Sequence, residues 1–467
     1  MAMTDLMSLT LGEVSGLIKT RKLSPVELTQ ASLRTIDDLD HKLNSFLTVC
    51  HESALATASK AEKQILAGSH IGPFHGIPYA VKDIYATKGI KTTNGAKVFA
   101  SSVPSYNCTA VRKLIRSGGV LIGKNHCLEF ACGNHHSLYG EVRNPWNLEY
   151  SPGGSSSGSG ASVAACMVFG SMGSCTGGSI RGPASHCNIV GLKPSYGLVS
   201  RYGVFPLSWS LDHAGPMTRT VMDCAIMLQT VAGYDSKDPS SARVSIPDYS
   251  EILDGNIKGL RVGVPVELNE NTPEPVSSLI NNAIKTLSEL GASIEEVSLP
   301  ITGEYATVSG NIITWSEEAQ VHAPWLDQLH EYTPGARQKV LVGSVIPSAQ
   351  YHKAQQMRRM VIEEINQSLQ KVDVLVGPVQ KTPPGPLPGK SGGPEIAGAL
   401  NMASERSLSR PYNLTGMPAI SVPCGFSPDG LPVGLQIAGR LFEDSIVLKV
   451  AHAYEQASPW HTMHPSF

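Results

Sequence analysis

Short apolar runs alternate with helix-period stretches along most of the chain, and the alternation predicts its elements. Residues 9–66 read as helical. In "SPVELTQASLRTIDDLD", Ser24 suits an N-cap, Pro25 the first helical position and Glu27 the third, while Leu28, Ala31, Leu33 and Ile36 form an apolar stripe. "HESALATASKAEKQILAG" continues helically and stops at Gly68. From "GPFHGIPYAVKD" onward, glycines punctuate short apolar runs. "GGVLIGKN" (118–125) predicts a buried strand after the helix "CTAVRKLIRSG". "ASVAACMVFGSMGS" (161–174), small and apolar all round, predicts a buried helix. "IKGLRVGVPVE", "EPVSSLINNAIKTLSELG" and "ASIEEVSLP" read as strand, helix and strand, a unit that implies parallel pairing and a right-handed crossover. The helix "AQYHKAQQMRRMVIEEINQSLQK" precedes the strand "VDVLVGPV"; "MPAISVPCGF" and "LPVGLQIAG" precede the helix "DSIVLKVAHAYEQA". Such alternation predicts an α/β sheet covered by helices on both faces.

Composition narrows the function classes. With 41% hydrophobic and 16% charged residues, the 467-residue chain has a core-forming profile rather than a disordered one. A net charge of -2, without basic runs, gives no electrostatic reason to expect nucleic acid or an anionic membrane. The first residues lack a basic segment followed by an apolar one, and no window approaches the length of a membrane span. Nine scattered cysteines, an odd number, fit reduced thiols and a cytoplasmic setting. The stretch "KTPPGPLPGKSGGPEIAG" (381–398) reads as a linker or as a loop over a site.

The chemistry concentrates in "SPGGSSSGSG" (151–160) and "GSCTGGSIRGPAS" (173–185), two glycine–serine elements that bracket a buried apolar segment. Linkers do not sandwich core, whereas backbone-permissive residues inside packed structure allow close approach. "GSSSG" matches a nucleophile elbow centred on Ser156, but Pro145 and Pro152 argue against the strand such an elbow needs. Neither glycine-rich phosphate-binding pattern occurs. The remaining chemistry is serine acyl transfer with a lysine base. Ser179 follows two glycines whose N–H groups could face an oxyanion, and Lys82 ends the apolar run "IPYAVKD", where desolvation would free its lone pair. A plain Lys82–Asp83 surface ion pair is the competing reading. "HCLEFACGNHH" (126–136) fits no structural zinc pattern.

"GIPYAVKD", "GGSSSGSGASVAA", "TGGSIRGPASHCNIVGLKPSYGLVS", "SLDHAGPMTRT" and "YNLTGMPAISVPCGF" together resemble the amidase signature family of C–N hydrolases, from about residue 8 to the C-terminus. The resemblance implies a single amidase domain over residues 1–467 on a large mixed, mostly parallel twisted sheet. An N-terminal helical layer would span 1–66 and the signature core 76–220, with 381–398 near the substrate pocket. It implies a triad of Lys82 as base, Ser155 as bridging serine with a cis bond to Gly154, and Ser179 as nucleophile. The backbone amides of Thr176, Gly177, Gly178 and Ser179 would form the oxyanion hole. Gly154, Ser156, Arg181 and Asp212 would support the site, and no metal or organic cofactor is implied.

A small-molecule amide, aryl amide, carbamate or biuret-type urea would be the substrate, and the chain would work as a monomer or homodimer without nucleic acid or membrane. Two departures stand out: Cys175 where the family commonly has aspartate, and Ser157 where glycine is frequent. His135 and His136 are expected at the acyl pocket or its rim, and Trp315, Trp325 and Tyr332 suggest an apolar, bulky pocket. The alternative is the glutaminase component of a tRNA-dependent amidotransferase, against which Arg406 counts, standing about where that component carries an acid for the glutamine amine. A Ser-His-Asp esterase and a catalytically silent scaffold are further readings.

Overall fold

The computed structural model describes residues 3–387 and 407–467. Its strands are β1 (Phe46–Val49), β2 (Pro78–Lys82), β3 (Val120–Asn125), β4 (Gly170–Cys175), β5 (Val190–Lys193), β6 (His213–Thr218), β7 (Arg261–Pro265), β8 (Ser293–Val297), β9 (Val374–Pro378), β10 (Ala419–Phe426) and β11 (Pro432–Ala438). They join one eleven-stranded sheet in the order β1-β3-β2-β4-β6-β5-β10-β11-β9-β7-β8.

The sheet is mixed, but the expected parallel majority is reversed. Parallel pairing is confined to β3-β2-β4 and to β9-β7-β8. The other neighbours run antiparallel. The reason is local in one place and remote in another. β10 and β11 form a hairpin closed by Ser427 N–H donating to Leu431 O at 2.8 Å, whereas β5 also pairs antiparallel with β10, far along the chain. The β7–helix–β8 unit is parallel, in register from Arg261–Ser293 to Pro265–Val297.

Side-chain alternation along the strands separates the core into two faces. Tyr79 and Val81 join one large apolar cluster and Ala80 a second; Val374 and Val376 join the large one and Leu375 a third. Helices cover both faces. Ser24 caps the helix Pro25–Leu43, accepting from the N–H of Val26 and Glu27. The helical reading of 9–66 is interrupted by β1, which pairs with β3.

The buried helix expected at 161–174 is instead Ser157–Ala164, beginning inside the glycine–serine stretch, and 170–175 is β4. Close packing explains this. A Cβ on Gly158 would lie 2.2 Å from Ser45 O and 2.7 Å from His126 N, so the first helical turn docks directly on neighbouring backbone. Among the described residues, no helix is long and apolar enough to cross a membrane.

Candidate active site

β2, β3 and β4 run parallel, so their carboxyl ends come together, the usual site of ligand binding in open α/β sheets. Lys82 is the last residue of β2, and the turn after β4 carries Thr176 to Ser179. The Gly154–Ser155 loop enters from the side, leading into the helix Ser157–Ala164, and its peptide bond is cis. Lys82 Nζ donates to Ser155 Oγ at 2.6 Å and to Ser174 Oγ at 2.9 Å. Lys82 is 0% exposed, and burial lowers its pKa to about 8 against weaker opposing effects of nearby cysteines and Asp212.

The competing ion pair with Asp83 does not form. Asp83 instead pairs with Lys124 at 3.1 Å and accepts from Thr93 N–H and Oγ1. The second half of the expected relay is open, since Ser179 Oγ makes no hydrogen bond among the described residues. Such bonds are commonly long or misaligned until a substrate docks. The N–H groups of Gly177, Gly178 and Ser179 likewise have no acceptor among the described residues, and all three residues are partly exposed. Unpaired N–H groups on a small-residue loop are the kind of donor an oxyanion can use.

The supporting residues anchor this loop from below. Thr176 Oγ1 donates to Asp212 Oδ1 at 2.6 Å, while Asp212 Oδ2 accepts from Leu207 and Ser208 N–H. Burial raises the Asp212 pKa, partly offset by Arg201 and these bonds. Arg181, 0% exposed, donates to Gln436 Oε1 and Asn413 Oδ1, both at 2.6 Å, and to Ser409 O at 3.0 Å. Its remaining neighbour is Cys175 Sγ at 3.6 Å. Burial pushes the Cys175 thiol up, but Arg181 and adjacent donors outweigh it and hold the thiol below its ordinary value. Ser156 Oγ bonds the Ser174 backbone, a loop-holding role.

The histidines depart from expectation. His135 sits between Ser157 Oγ at 3.0 Å and Glu141 Oε2 at 2.6 Å, and His136 meets Glu331 O at 3.1 Å. Ser157, His135 and Glu141 repeat the order of a serine hydrolase relay, yet Ser157 is fully buried in the helix's first turn, out of reach of a substrate. Among the described residues, no three His, Cys, Asp or Glu side chains converge as metal ligands would.

A cavity of about 190 Å³ reaches Ser174, Thr176 and Asp212, and Ile84, Val204, Phe205, Leu207 and Trp209 contribute its apolar wall. Trp315, Trp325 and Tyr332, named from sequence, are not among its lining residues. Trp325 and Tyr332 pack with Phe130, Phe205 and His322 instead. Of the 381–398 stretch, residues 381–387 are described. Gly385 and Leu387 bond Ser151 and Glu149, just ahead of the Gly154 loop. Arg406 and the rest of the stretch lie outside the described residues.

Sequence reasoning missed Ser174, the second acceptor of Lys82, and Arg410, which packs on Gly177. A serine near the end of a strand beside β2 was the available signal for the first. Nothing local signalled the second.

With a buried lysine bonded to two serines beside a glycine-rich loop on a mixed α/β sheet, the chain belongs to the amidase (amidase signature) family, whose model matches residues 27–448. It is 42% identical to a glutamyl-tRNA(Gln) amidotransferase subunit of Dehalococcoides mccartyi, over 99% of this chain and all of the relative. Among solved structures, it matches one from a vestigial protein complex connected with the origins of an s-triazine catabolic enzyme. There the identity is 30% and the TM-score 0.89, covering 96% of this chain and 99% of that one. The corresponding glutamyl-tRNA(Gln) amidotransferase subunit of Thermotoga maritima matches at 33% identity and a TM-score of 0.82, covering 98% and 97%.

Proposed function

We propose that the chain cleaves an amide-type C–N bond through an acyl-enzyme on Ser179. Neutral Lys82 accepts the Ser179 proton by way of Ser155 as Ser179 Oγ bonds the carbonyl carbon. The oxygen's developing charge is taken by the N–H groups of the 176–179 loop. Collapse breaks the C–N bond, and the leaving amine receives the proton back along the same path. Water then attacks the ester, again giving a proton to Lys82; collapse breaks the bond from the acyl carbon to Ser179 Oγ, the acid leaves, and the proton returns through Ser155 to Ser179. The observation that carries this reading is the buried Lys82–Ser155 hydrogen bond beside a loop of unpaired N–H groups.

For the substrate, the relatives favour the glutaminase component of an amidotransferase over a free-standing amide or carbamate hydrolase. The likeness to proteins named as glutamyl-tRNA(Gln) amidotransferase subunits runs the full length of the chain, at 42% and 33% identity. Their being named as subunits also favours a working assembly over the monomer or homodimer expected from sequence. The second reading keeps one support, Arg406 in place of the expected acid.

A single comparison separates them. Ammonia release from glutamine, accelerated by cognate partner proteins and tRNA, supports the first. Turnover of simple amides or aryl carbamates by the chain alone, with glutamine untouched in either setting, supports the second. Failure of a fluorophosphonate probe to label Ser179 would overturn both.

A further inference from the structure

Arg410 opens the helix Arg410–Leu414, and its side chain threads between two glycines. A Cβ on Gly310 would lie 2.3 Å from Arg410 Cδ, and one on Gly177 would lie 2.7 Å from Cζ. The guanidinium is therefore held against the oxyanion loop, two residues from Ser179. Nη1 donates to Thr314 Oγ1 at 3.0 Å and Nη2 to Asn311 Oδ1 at 2.9 Å. Guanidinium has five N–H donors, so three remain, one of them on Nε buried against Gly310, and no carboxylate of a described residue lies within ion-pair range. Burial lowers the Arg410 pKa to about 10, with the Cys175 thiol alone opposing it, as expected of a cation that lacks a counter-charge. Arg181 below the same loop also has no carboxylate partner among the described residues, so two guanidinium groups flank the loop, and the carboxylate that meets it is Asp212, on Thr176. Arg410 and Gly177 beside it are both partly exposed, so solvent reaches the guanidinium's side of the loop, although Arg410 does not line the 190 Å³ cavity itself.

We infer that Arg410 is a specificity-determining residue that binds a carboxylate on the substrate, making the preferred substrates amides that also carry an acid group a few bonds from the scissile carbonyl. Planar guanidinium suits a carboxylate bidentately, and its desolvated setting strengthens the pairing. The inference rests on the acyl-transfer reading for where the substrate sits. It covers glutamine and other acid amides alike.

The test uses the full chain carrying Ser179→Ala, titrated with glutaramate and with pentanamide, its neutral counterpart, by calorimetry. Glutaramate should bind more tightly, and Arg410→Gln should reduce that preference on the order of 10²-fold, with Arg410→Lys retaining part of it. Absence of a preference, or its survival in Arg410→Gln, overturns the inference. Because Arg410→Gln could disturb packing, a second measurement uses the unaltered chain: glutarate should slow fluorophosphonate labelling of Ser179 at concentrations where pentanamide does not. Labelling that proceeds with no protection by carboxylates sinks this inference and leaves acyl transfer standing. Absence of labelling removes acyl transfer, while the calorimetric preference still reads Arg410.

Discussion

The state of Lys82 can be tested by varying pH alone. Burial moves its pKa from 10.5 to about 8, a change worth about 3 kcal/mol in favour of the neutral amine. Lys82 is fully buried, so solvent screening does not erode that figure. At pH 7 roughly one lysine in ten would be neutral, against a few in ten thousand for an ordinary side chain. Only the neutral form can accept the Ser179 proton. For an uncharged amide, kcat/KM should therefore rise about tenfold per pH unit through the acid range and level off near pH 8. Ser174→Ala removes one of the two acceptors that stabilise the ammonium. A hydrogen bond to a charged group is worth about 1.5–3 kcal/mol, so this variant should reach its plateau at lower pH by about one to two units. The assay is initial rate against pH for both proteins, with unfolding followed in parallel. An inflection near 10.5, no inflection, or a rate that falls between about pH 6 and 9 would refute the lysine-base reasoning.

Three further outcomes follow from the same contacts. Ser179→Ala should abolish turnover and fluorophosphonate labelling while shifting Tm by no more than about 2 °C, since Ser179 Oγ holds no hydrogen bond among the described residues. Burial raises Glu318 from 4.5 to about 7, so the folded chain keeps a proton that the unfolded chain releases; stability should fall as pH rises from about 4.5 to 7, by up to about 3 kcal/mol, and urea unfolding should show that loss reduced in Glu318→Gln. Arg181→Met leaves the side-chain oxygens of Asn413 and Gln436 without this donor, and should cost about 3 kcal/mol or more in thermal unfolding.

Ser155 is reached only through the family resemblance, whereas Lys82 and the Ser179 loop are legible from local chemistry: a lysine ending an apolar strand and a serine after two glycines. The Ser24 cap and the β7–helix–β8 unit are legible for the same reason. The helix of 157–164 falls earlier than its sequence suggests because alanine, glycine and serine buried all round leave no period to detect. The pairing of β5 with β10 joins strands more than 200 residues apart, which no local pattern encodes. Arg410 stays hidden because its meaning comes from Gly310 and Gly177, brought to it by the fold. The aromatic residues named for the pocket are apolar and large, but size does not say which face they cover; Phe205 and Trp209 line the cavity instead.

The adjacency of Lys82 and Asp83 shows how strand geometry, more than residue type, decides the chemistry. Successive side chains on a strand point to opposite faces. In the β2–β3 register, Val81 stands beside Lys124 and Lys82 beside Asn125. Asp83 follows Val81's side, and there it neutralises Lys124 within a fully buried pair. Lys82 is left on the other side with two hydroxyls and, among the described residues, no carboxylate within ion-pair range. A carboxylate there would hold the lysine protonated, because attraction in a buried site outweighs what desolvation removes. Hydroxyls can hydrogen-bond either protonation state and favour the ammonium far less than a carboxylate would, so they fix the amine's position and leave its neutral form accessible. The same backbone turn thus commits one acid to a structural lysine and leaves its neighbour free to act as a base.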